Sequence, residues 1–252
     1  MKTNKLFIIL LFVFCRCAQD KNKIADETVC DGSIFPEVND KYVYPIVPGM
    51  VEWQTAEDFD EIISFCQLPE NILKTISTPG LIDALIHAPM FTGQIAISSG
   101  TEFQTWQRIY GQFNSANELF MRKDAGNALV AYCKLVCFDC ILDESIACYI
   151  ERERIRGLEF LFTKQEILNT TEHAQKKETV SLLLSNYEQC PDNTLRVFPM
   201  AFIMLADKYA PIVKYYDDKP EVIQSLLNGF GHPSTPNQWD IIISFANDYI
   251  NN

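Results

Sequence analysis

The sequence predicts an all-α fold, an irregular multi-helix bundle or short α-solenoid of about ten helices. Beyond Thr55, apolar residues recur at the i, i+3, i+4, i+7 spacing of one helix face. Several of these stretches open on a proline, a residue that favours the first turn of a helix. Glycine is scarce, with 10 among 252 residues, which disfavours the many tight turns of an all-β sandwich.

Residues 1–16 have the pattern of an export signal. Lys2 and Lys5 precede an apolar run of nine residues, which is too short to span a bilayer as a stable helix. A buried N-terminal strand or helix is the alternative interpretation. No later apolar stretch approaches the length of a membrane span.

The end of this signal predicts lipidation at Cys17. Bacterial lipoprotein signals place the lipidated cysteine after the apolar run, and the polar run "AQDKNK" begins directly after Cys17. Phe14 precedes Cys15 and Arg16 precedes Cys17, whereas a small residue is usual there. Lipidation at Cys15 and plain cleavage near Ala18 are therefore the alternatives.

A lipid on Cys17 would tether the chain to a membrane without making it span one. The acidic residue in the run after Cys17 resembles the surface-export signals of lipoproteins from Bacteroidetes-type bacteria. We therefore expect a lipid-anchored protein at the bacterial outer membrane or cell surface. A periplasmic or secreted protein is the alternative.

Residues 17–52 are predicted to be a tether and an extended lead-in to the helical domain. Pro45 and Pro48 disfavour a helix in this segment. Three aromatic residues are expected to pack the segment onto the surface of the domain: Tyr42, Tyr44 and Trp53.

Residues 53–252 are predicted to form a single helical domain. Its first helix has an apolar stripe at helical spacing: Phe59, Ile62, Ile63 and Cys66. Thr55 is predicted to cap this helix, with Asp58 as an acidic residue in the first turn. Pro69 is predicted to be the first residue of a second, short helix.

The next helices are marked by caps, prolines and aromatic residues. Thr78 is predicted to cap a third helix, which opens on Pro79 and stops before Pro89. A fourth helix is marked by an aromatic stripe: Phe103, Trp106, Tyr110 and Phe113. Ser115 and Glu118 have the spacing of a capping box and predict the start of a fifth helix.

The second half of the chain continues the helical pattern. One apolar stripe comprises Val180, Leu183, Leu184 and Tyr187. A further helix is predicted over residues 220–229, and the last helix is predicted to begin at Pro236. The stripe of the last helix comprises Trp239, Ile242, Ile243, Ala246, Tyr249 and Ile250. The best strand candidate, residues 93–98, is one short run that cannot form a sheet.

Three stretches have a distinctive form: "PGMVEW" at 48–53, "PENILKTIST" at 69–78 and "RKDAG" at 122–126. Together they resemble a group of exported all-α proteins of Bacteroidetes-type gut bacteria. The resemblance extends over residues 42–210 and is strongest in its first half. It implies an exported helical domain, and it supplies neither a reaction nor catalytic residues.

The stretch "CKLVCFDC" at residues 133–140 has a cysteine spacing that can hold an iron–sulfur cluster. On one continuous helix, four cysteines would share a face about 80° wide: Cys133, Cys137, Cys140 and Cys148. Free cysteine behaves as a small buried hydrophobic residue. We therefore predict a packed cysteine face, and no metal or other cofactor.

Other interpretations of these cysteines need a different context. A radical-forming cluster belongs in a reducing cytosol on a barrel fold, and structural zinc needs a second ligand pair. A redox-active Cys137–Cys140 pair needs a strand-to-helix context. A disulfide stays open, because exported proteins reach an oxidising compartment. Seven of the nine cysteines lie beyond Cys17, so at least one stays unpaired within the chain.

The histidines and charged pairs predict no catalytic site. His87 lies near a helix end, His173 in a polar stretch and His232 in a loop, and no HExxH, GxSxG or P-loop pattern is present. The charged run at 151–156 pairs acids with bases at i,i+3 spacing: Glu151 with Arg154, and Glu153 with Arg156. It predicts a solvated, mutually paired helix face, with a docking surface as the alternative.

Composition and charge restrict the classes of function. Hydrophobic residues make up 48% and charged residues 21% of the chain, which is typical of a globular protein. The net charge of −12 repels phosphate backbones, so we expect no nucleic-acid partner.

The first hypothesis is a lipid-anchored interaction module of the cell envelope that binds another protein or a glycan. The alternative is an enzyme of unrecognised type that acts on an envelope polymer. An exposed apolar patch would favour the module, and a pocket with convergent ionisable side chains would favour the enzyme. A deep pocket around His87 or His232 with two carboxylates would count against the module.

Overall fold

The computed structural model describes five stretches of the chain: residues 34–92, 102–137, 146–189, 197–217 and 236–252. Within them it contains 13 α-helices, 10 of which have 7 or more residues, and no strand. The predicted all-α fold is therefore confirmed. The strand candidate at 93–98 and the helix predicted at 220–229 lie outside the described residues.

The helices follow one another along the chain as α1 (Val51–Gln54), α2 (Phe59–Phe65), α3 (Glu70–Leu73), α4 (Thr78–Ile86), α5 (Glu102–Gln112), α6 (Asn114–Met121), α7 (Ala125–Lys134), α8 (Ile146–Phe160), α9 (Gln165–Asn169), α10 (His173–Gln189), α11 (Val197–Ala206), α12 (Ala210–Asp217) and α13 (Pro236–Asn251). Two 3₁₀-helices lie over Pro89–Thr92 and Leu161–Thr163. None of the described helices is both long and apolar enough to cross a membrane.

The caps of α2 and α4 differ from the prediction. Asp58, rather than Thr55, caps α2, and its carboxylate accepts a hydrogen bond from a first-turn amide at 2.9 Å. Thr55 is not available for this role because it ends α1, where its hydroxyl donates to the Val51 carbonyl at 2.9 Å. Ser77, rather than Thr78, caps α4 in the same way.

Two other helix starts are also displaced, by one residue at α3 and by two residues at α6. Pro69 is the N-cap residue of α3, which begins one residue later than predicted. α6 begins at Asn114, so Ser115 lies inside the helix, and the predicted capping box with Glu118 is wrong. The Asn114 side chain fixes this start, because it bonds both backbone groups of Leu68, at 3.0 and 2.8 Å.

The core of the C-terminal half is built around α11. Residues 197–204 of α11 are all buried, as expected of a helix that is apolar all round. α11 packs against α10 and α13, and these two helices also pack against each other. Most of the predicted stripe residues on the two helices are buried: Val180, Leu183 and Leu184 on α10, and Ile242, Ala246 and Tyr249 on α13.

The lead-in packs more deeply than predicted. Phe35 and Tyr44 are buried in the core, and the Tyr44 hydroxyl donates to the Ala84 carbonyl at 3.0 Å. The Asp40 carboxylate accepts hydrogen bonds from the backbone amide and the hydroxyl of Ser77, the cap of α4. These contacts hold the lead-in against α4, and they place residues 34–41 beside the candidate site.

The "RKDAG" segment between α6 and α7 joins several helices. The Arg122 guanidinium donates to backbone carbonyls of α3 and the turn that follows it. The Asp124 carboxylate accepts from the Thr78 hydroxyl at 2.9 Å. A side chain at Gly126 would begin 2.2 Å from the Thr171 hydroxyl, so only glycine fits. The residues of this motif therefore have structural roles.

Candidate functional site

An open cleft of about 510 Å³ lies between the lead-in and the ends of α4 and α8. Its volume falls in the range of about 300–1,000 Å³ that is usual for small-molecule sites. Four ionisable side chains line it: Glu37, Lys41, His87 and Glu151. The other lining residues are apolar and belong to the lead-in: Ile34, Phe35, Pro36 and Val38.

His87 ends α4, and its ring is held in one orientation at the cleft. Nδ1 lies 2.9 Å from the backbone carbonyl of Asp83 and 3.1 Å from its carboxylate. Both neighbours are acceptors, so Nδ1 carries a proton, and Nε2 is the ring nitrogen without a partner among the described residues. The Phe35 ring packs edge-on against the imidazole, with 5.0 Å between the two ring centroids. No residue that the structure describes donates a hydrogen bond to Nε2.

Asp83 lies behind His87 and is almost completely buried, with an exposed fraction of 1%. Its carboxylate accepts a hydrogen bond from the Tyr132 hydroxyl of α7 at 2.9 Å. Burial alone would raise the pKa of Asp83, but the hydrogen bond and the charge of His87, the hydrogen bond of Tyr132 and the charge of Lys41 together lower it. Burial, together with the Asp83 charge, raises the pKa of Tyr132, which stays protonated. The pair is therefore an ionised acceptor with a neutral donor.

Glu151 is the residue of α8 that lines the cleft. Its Oε1 accepts from Arg154 Nη1 at 2.7 Å, and Glu153 pairs with Arg156 at 2.5 Å, so both predicted i,i+3 pairs are confirmed. The predicted solvation of this face is wrong, because Glu153 is only 3% exposed. α8 packs against α4 and α5, which removes part of the charged face from water.

The cysteines do not share one helix face. Cys133 is free and buried on α7, as predicted, but α7 ends at Lys134, and Cys137 lies in the following turn. The Cys137 amide donates to the Ile34 carbonyl at 2.9 Å, and this hydrogen bond holds the segment after α7 against the lead-in. The prediction of a single continuous cysteine helix is therefore wrong.

Cys137 is disulfide-bonded. The other two cysteines with described side chains, Cys66 and Cys133, are free. The partner of Cys137 is therefore a cysteine whose side chain lies outside the described part. Cys140 and the side chain of Cys148 also lie outside it. Among the described residues, no group of three or more side chains could hold a metal ion.

His173 is not isolated, although the sequence suggested so. It begins α10, and its Nδ1 lies 2.5 Å from the Asp207 carboxylate, which also accepts from the Tyr249 hydroxyl at 2.7 Å. The His173 side chain is 65% exposed, and it does not line the cleft. This cluster joins α10 to α13 and has a structural role. His232 and Cys17 lie outside the described residues.

Sequence patterns missed most of the cleft. Asp83 and His87 have the i,i+4 spacing of neighbours on one helix face, and this spacing is the signal that could have found the pair. Tyr132, Glu151 and Lys41 come from other parts of the chain, and no sequence motif identifies them as part of this site.

No protein family model, curated protein or solved structure matches the chain. The function of the cleft is therefore inferred from its own geometry and charges.

Proposed function

We propose that the protein is a lipid-anchored glycan-binding module of the bacterial envelope. The export pattern of residues 1–16 and the cysteine at position 17 support the location. The observation that supports binding is the cleft itself, where ionisable side chains converge beside a short apolar wall. Carboxylates and an imidazole accept hydrogen bonds from sugar hydroxyls, Lys41 donates them, and the apolar wall contacts the C–H face of a ring.

The size of the cleft favours a glycan over a protein partner. The ionisable groups converge on a cleft of small-ligand size, whereas a protein interface usually has a contiguous apolar centre. Two carboxylates, those of Glu37 and Glu151, line this cleft together with His87. A pocket of this kind was expected to count against the module, so it supports the enzyme as the second candidate function.

Replacement of His87 by glutamine should weaken glycan binding about tenfold, because the ring that Asp83 holds in one orientation at the cleft is lost. Isothermal titration of the chain with glycans released from the bacterial envelope measures the effect. His173→Gln is the matched control, since His173 also contacts a carboxylate through Nδ1 but lies outside the cleft. Equal affinities for the wild type and His87→Gln would contradict the assignment of the cleft.

A second candidate function is hydrolysis of an envelope polymer, and the orientation of His87 favours it. Nε2 of His87, with Nδ1 held by Asp83, can act as a general base that activates water when it is unprotonated. Mass spectrometry of the titrated glycans separates the two, since only hydrolysis yields smaller products that disappear with His87→Gln.

Lipidation at Cys17 gives a direct prediction. In bacteria fed labelled palmitate, the wild type should incorporate the label, and Cys17→Ala should incorporate none, because the thiol that receives the lipid is lost. Cys15→Ala is the control and should keep the label. Label that survives in Cys17→Ala but is lost in Cys15→Ala would move the site, and an unlabelled wild type would indicate plain cleavage.

A further inference from the structure

We propose that the cleft recognises a protonated primary amine, so that its ligand is a glycan with a free amino sugar. This inference rests on the glycan-binding function proposed above and names the group that the cleft selects. It follows from the balance of hydrogen-bond donors and acceptors around the cleft, and from the balance of charge.

The groups that face the cleft are mainly acceptors. Glu37 is exposed and has a carboxylate, and Glu151 has a second carboxylate, one oxygen of which has no partner among the described residues. Lys41 is a donor, and the Nδ1 proton of His87 is already bound by Asp83. A ligand that satisfies this surface must therefore donate more hydrogen bonds than it accepts.

The polar groups behind the cleft add to the same imbalance. The hydroxyl of Tyr132 and one guanidinium nitrogen of Arg154 already donate to carboxylates. Two buried carboxylate oxygens, Asp83 Oδ2 and Glu151 Oε2, have no hydrogen-bond partner among the described residues. Arg154 Nε is also without one, but Arg154 does not line the cleft. Unpartnered buried acceptors are unfavourable, and a nearby positive charge would offset that cost.

Charge distinguishes an ammonium group from a hydroxyl. Around the cleft, the carboxylates of Glu37, Asp83 and Glu151 lie near the cations Lys41 and Arg154 and the imidazole of His87, and one oxygen each of Asp83 and Glu151 has no hydrogen-bond partner among the described residues. The whole chain has a net charge of −12, which attracts cations further. An ammonium group supplies three donors and a positive charge, whereas a hydroxyl supplies one donor and no charge. The cleft therefore suits an amino sugar better than a neutral sugar.

Calorimetric titration with a short glucosamine oligomer and with its N-acetylated counterpart tests the inference. The two probes share a backbone and differ in the charge of the amine. We expect the glucosamine oligomer to bind about tenfold more tightly or better, with an affinity that falls as salt is added. Oligolysine of equal charge is the third probe and should bind more weakly, because it lacks the sugar ring.

Two variants refine the test. Glu37→Gln and Glu151→Gln should each weaken binding of the glucosamine oligomer about tenfold. Glu70→Gln is the control, since Glu70 forms an exposed ion pair with Lys74 away from the cleft. Glu37 is exposed, so its variant stays interpretable if Glu151→Gln does not fold.

The outcomes separate this inference from the proposed function. Equal binding of both saccharides, or unchanged binding by Glu37→Gln, would overturn recognition of an amine and leave the glycan function standing. Equal binding of oligolysine would overturn the assignment to an amino sugar. If neither saccharide binds, the inference fails, and the titration with envelope glycans decides the proposed function independently.

Discussion

Replacement of Arg122 by alanine should destabilise the folded chain by about 3–5 kcal/mol, since two charge-assisted hydrogen bonds to backbone carbonyls are lost, together with longer ones to Glu118 and Thr78. Arg122 Nη1 donates to the Ile76 carbonyl at 2.7 Å, and Nη2 donates to the Leu73 carbonyl at 3.1 Å. The side chain is only 17% exposed, so water cannot fully replace these bonds. Chemical unfolding followed by circular dichroism measures the change in the free energy of unfolding.

Two further variants make the prediction for Arg122 specific. Arg122→Lys keeps the charge but loses the planar fork that reaches both carbonyls, so it should recover only part of the stability. Arg108→Ala is the control, because Arg108 is exposed and, among the described residues, contacts the Phe59 ring, with 5.5 Å between its Cζ and the ring centroid. The loss of folding free energy in Arg108→Ala should stay below about 1 kcal/mol. Equal costs for Arg108→Ala and Arg122→Ala would contradict the role assigned to Arg122.

Helical periodicity predicted the buried faces of the fold better than the helix starts. Stripe residues such as Leu183 and Ala246 are buried as expected, because burial of an apolar face is what keeps a helix in place. Where a helix starts depends on which of two neighbouring polar residues becomes its N-cap. Ser77 and Thr78 both suit a cap, and the choice falls on Ser77 because Asp40 of the lead-in bonds it while Asp124 bonds Thr78. That choice is made by tertiary contacts that no local pattern contains.

The cysteine prediction failed for a related reason. Its premise was one helix that runs from Cys133 past Cys140. The helix instead ends at Lys134, and the amide of Cys137 bonds to Ile34, far away in the sequence. The burial of Cys133 was predictable from its position on an apolar face. The disulfide of Cys137 was only one of several open alternatives, because a spacing does not show where a helix ends.

The cleft shows the limit of motif searches. His87 was interpreted as a histidine at a helix end, which it is, but the orientation of its ring depends on the carboxylate one turn earlier. That part of the site was visible as i,i+4 spacing. Glu37 and Glu151 join His87 only because the lead-in packs beside α4 and α8.

Replacement of Asp83 by asparagine should cost about 2–4 kcal/mol at neutral pH, because the buried hydroxyl of Tyr132 and the imidazole of His87 lose an ionised acceptor. Tyr132→Phe should reduce the free energy of unfolding by less, about 1 kcal/mol. It removes one donor and leaves the Asp83 carboxylate in contact with His87. Unfolding by urea at neutral pH measures both. A smaller loss for Asp83→Asn than for Tyr132→Phe would show that the carboxylate does not hold this cluster together.

The same carboxylate should make stability depend on pH. Its pKa in the folded chain is lowered, so folding is favoured above the unfolded value of about 3.9 and loses that contribution as the pH falls through the folded pKa. The difference in stability between the wild type and Asp83→Asn should therefore narrow as the pH falls from about 5 to about 3, below the usual range of histidine titration. Asp248→Asn is the control, because Asp248 is exposed on α13 and should change stability by less than about 0.5 kcal/mol. A difference that widens over this pH range would mean that the protonated form of Asp83, rather than the ion, is the one that the fold stabilises.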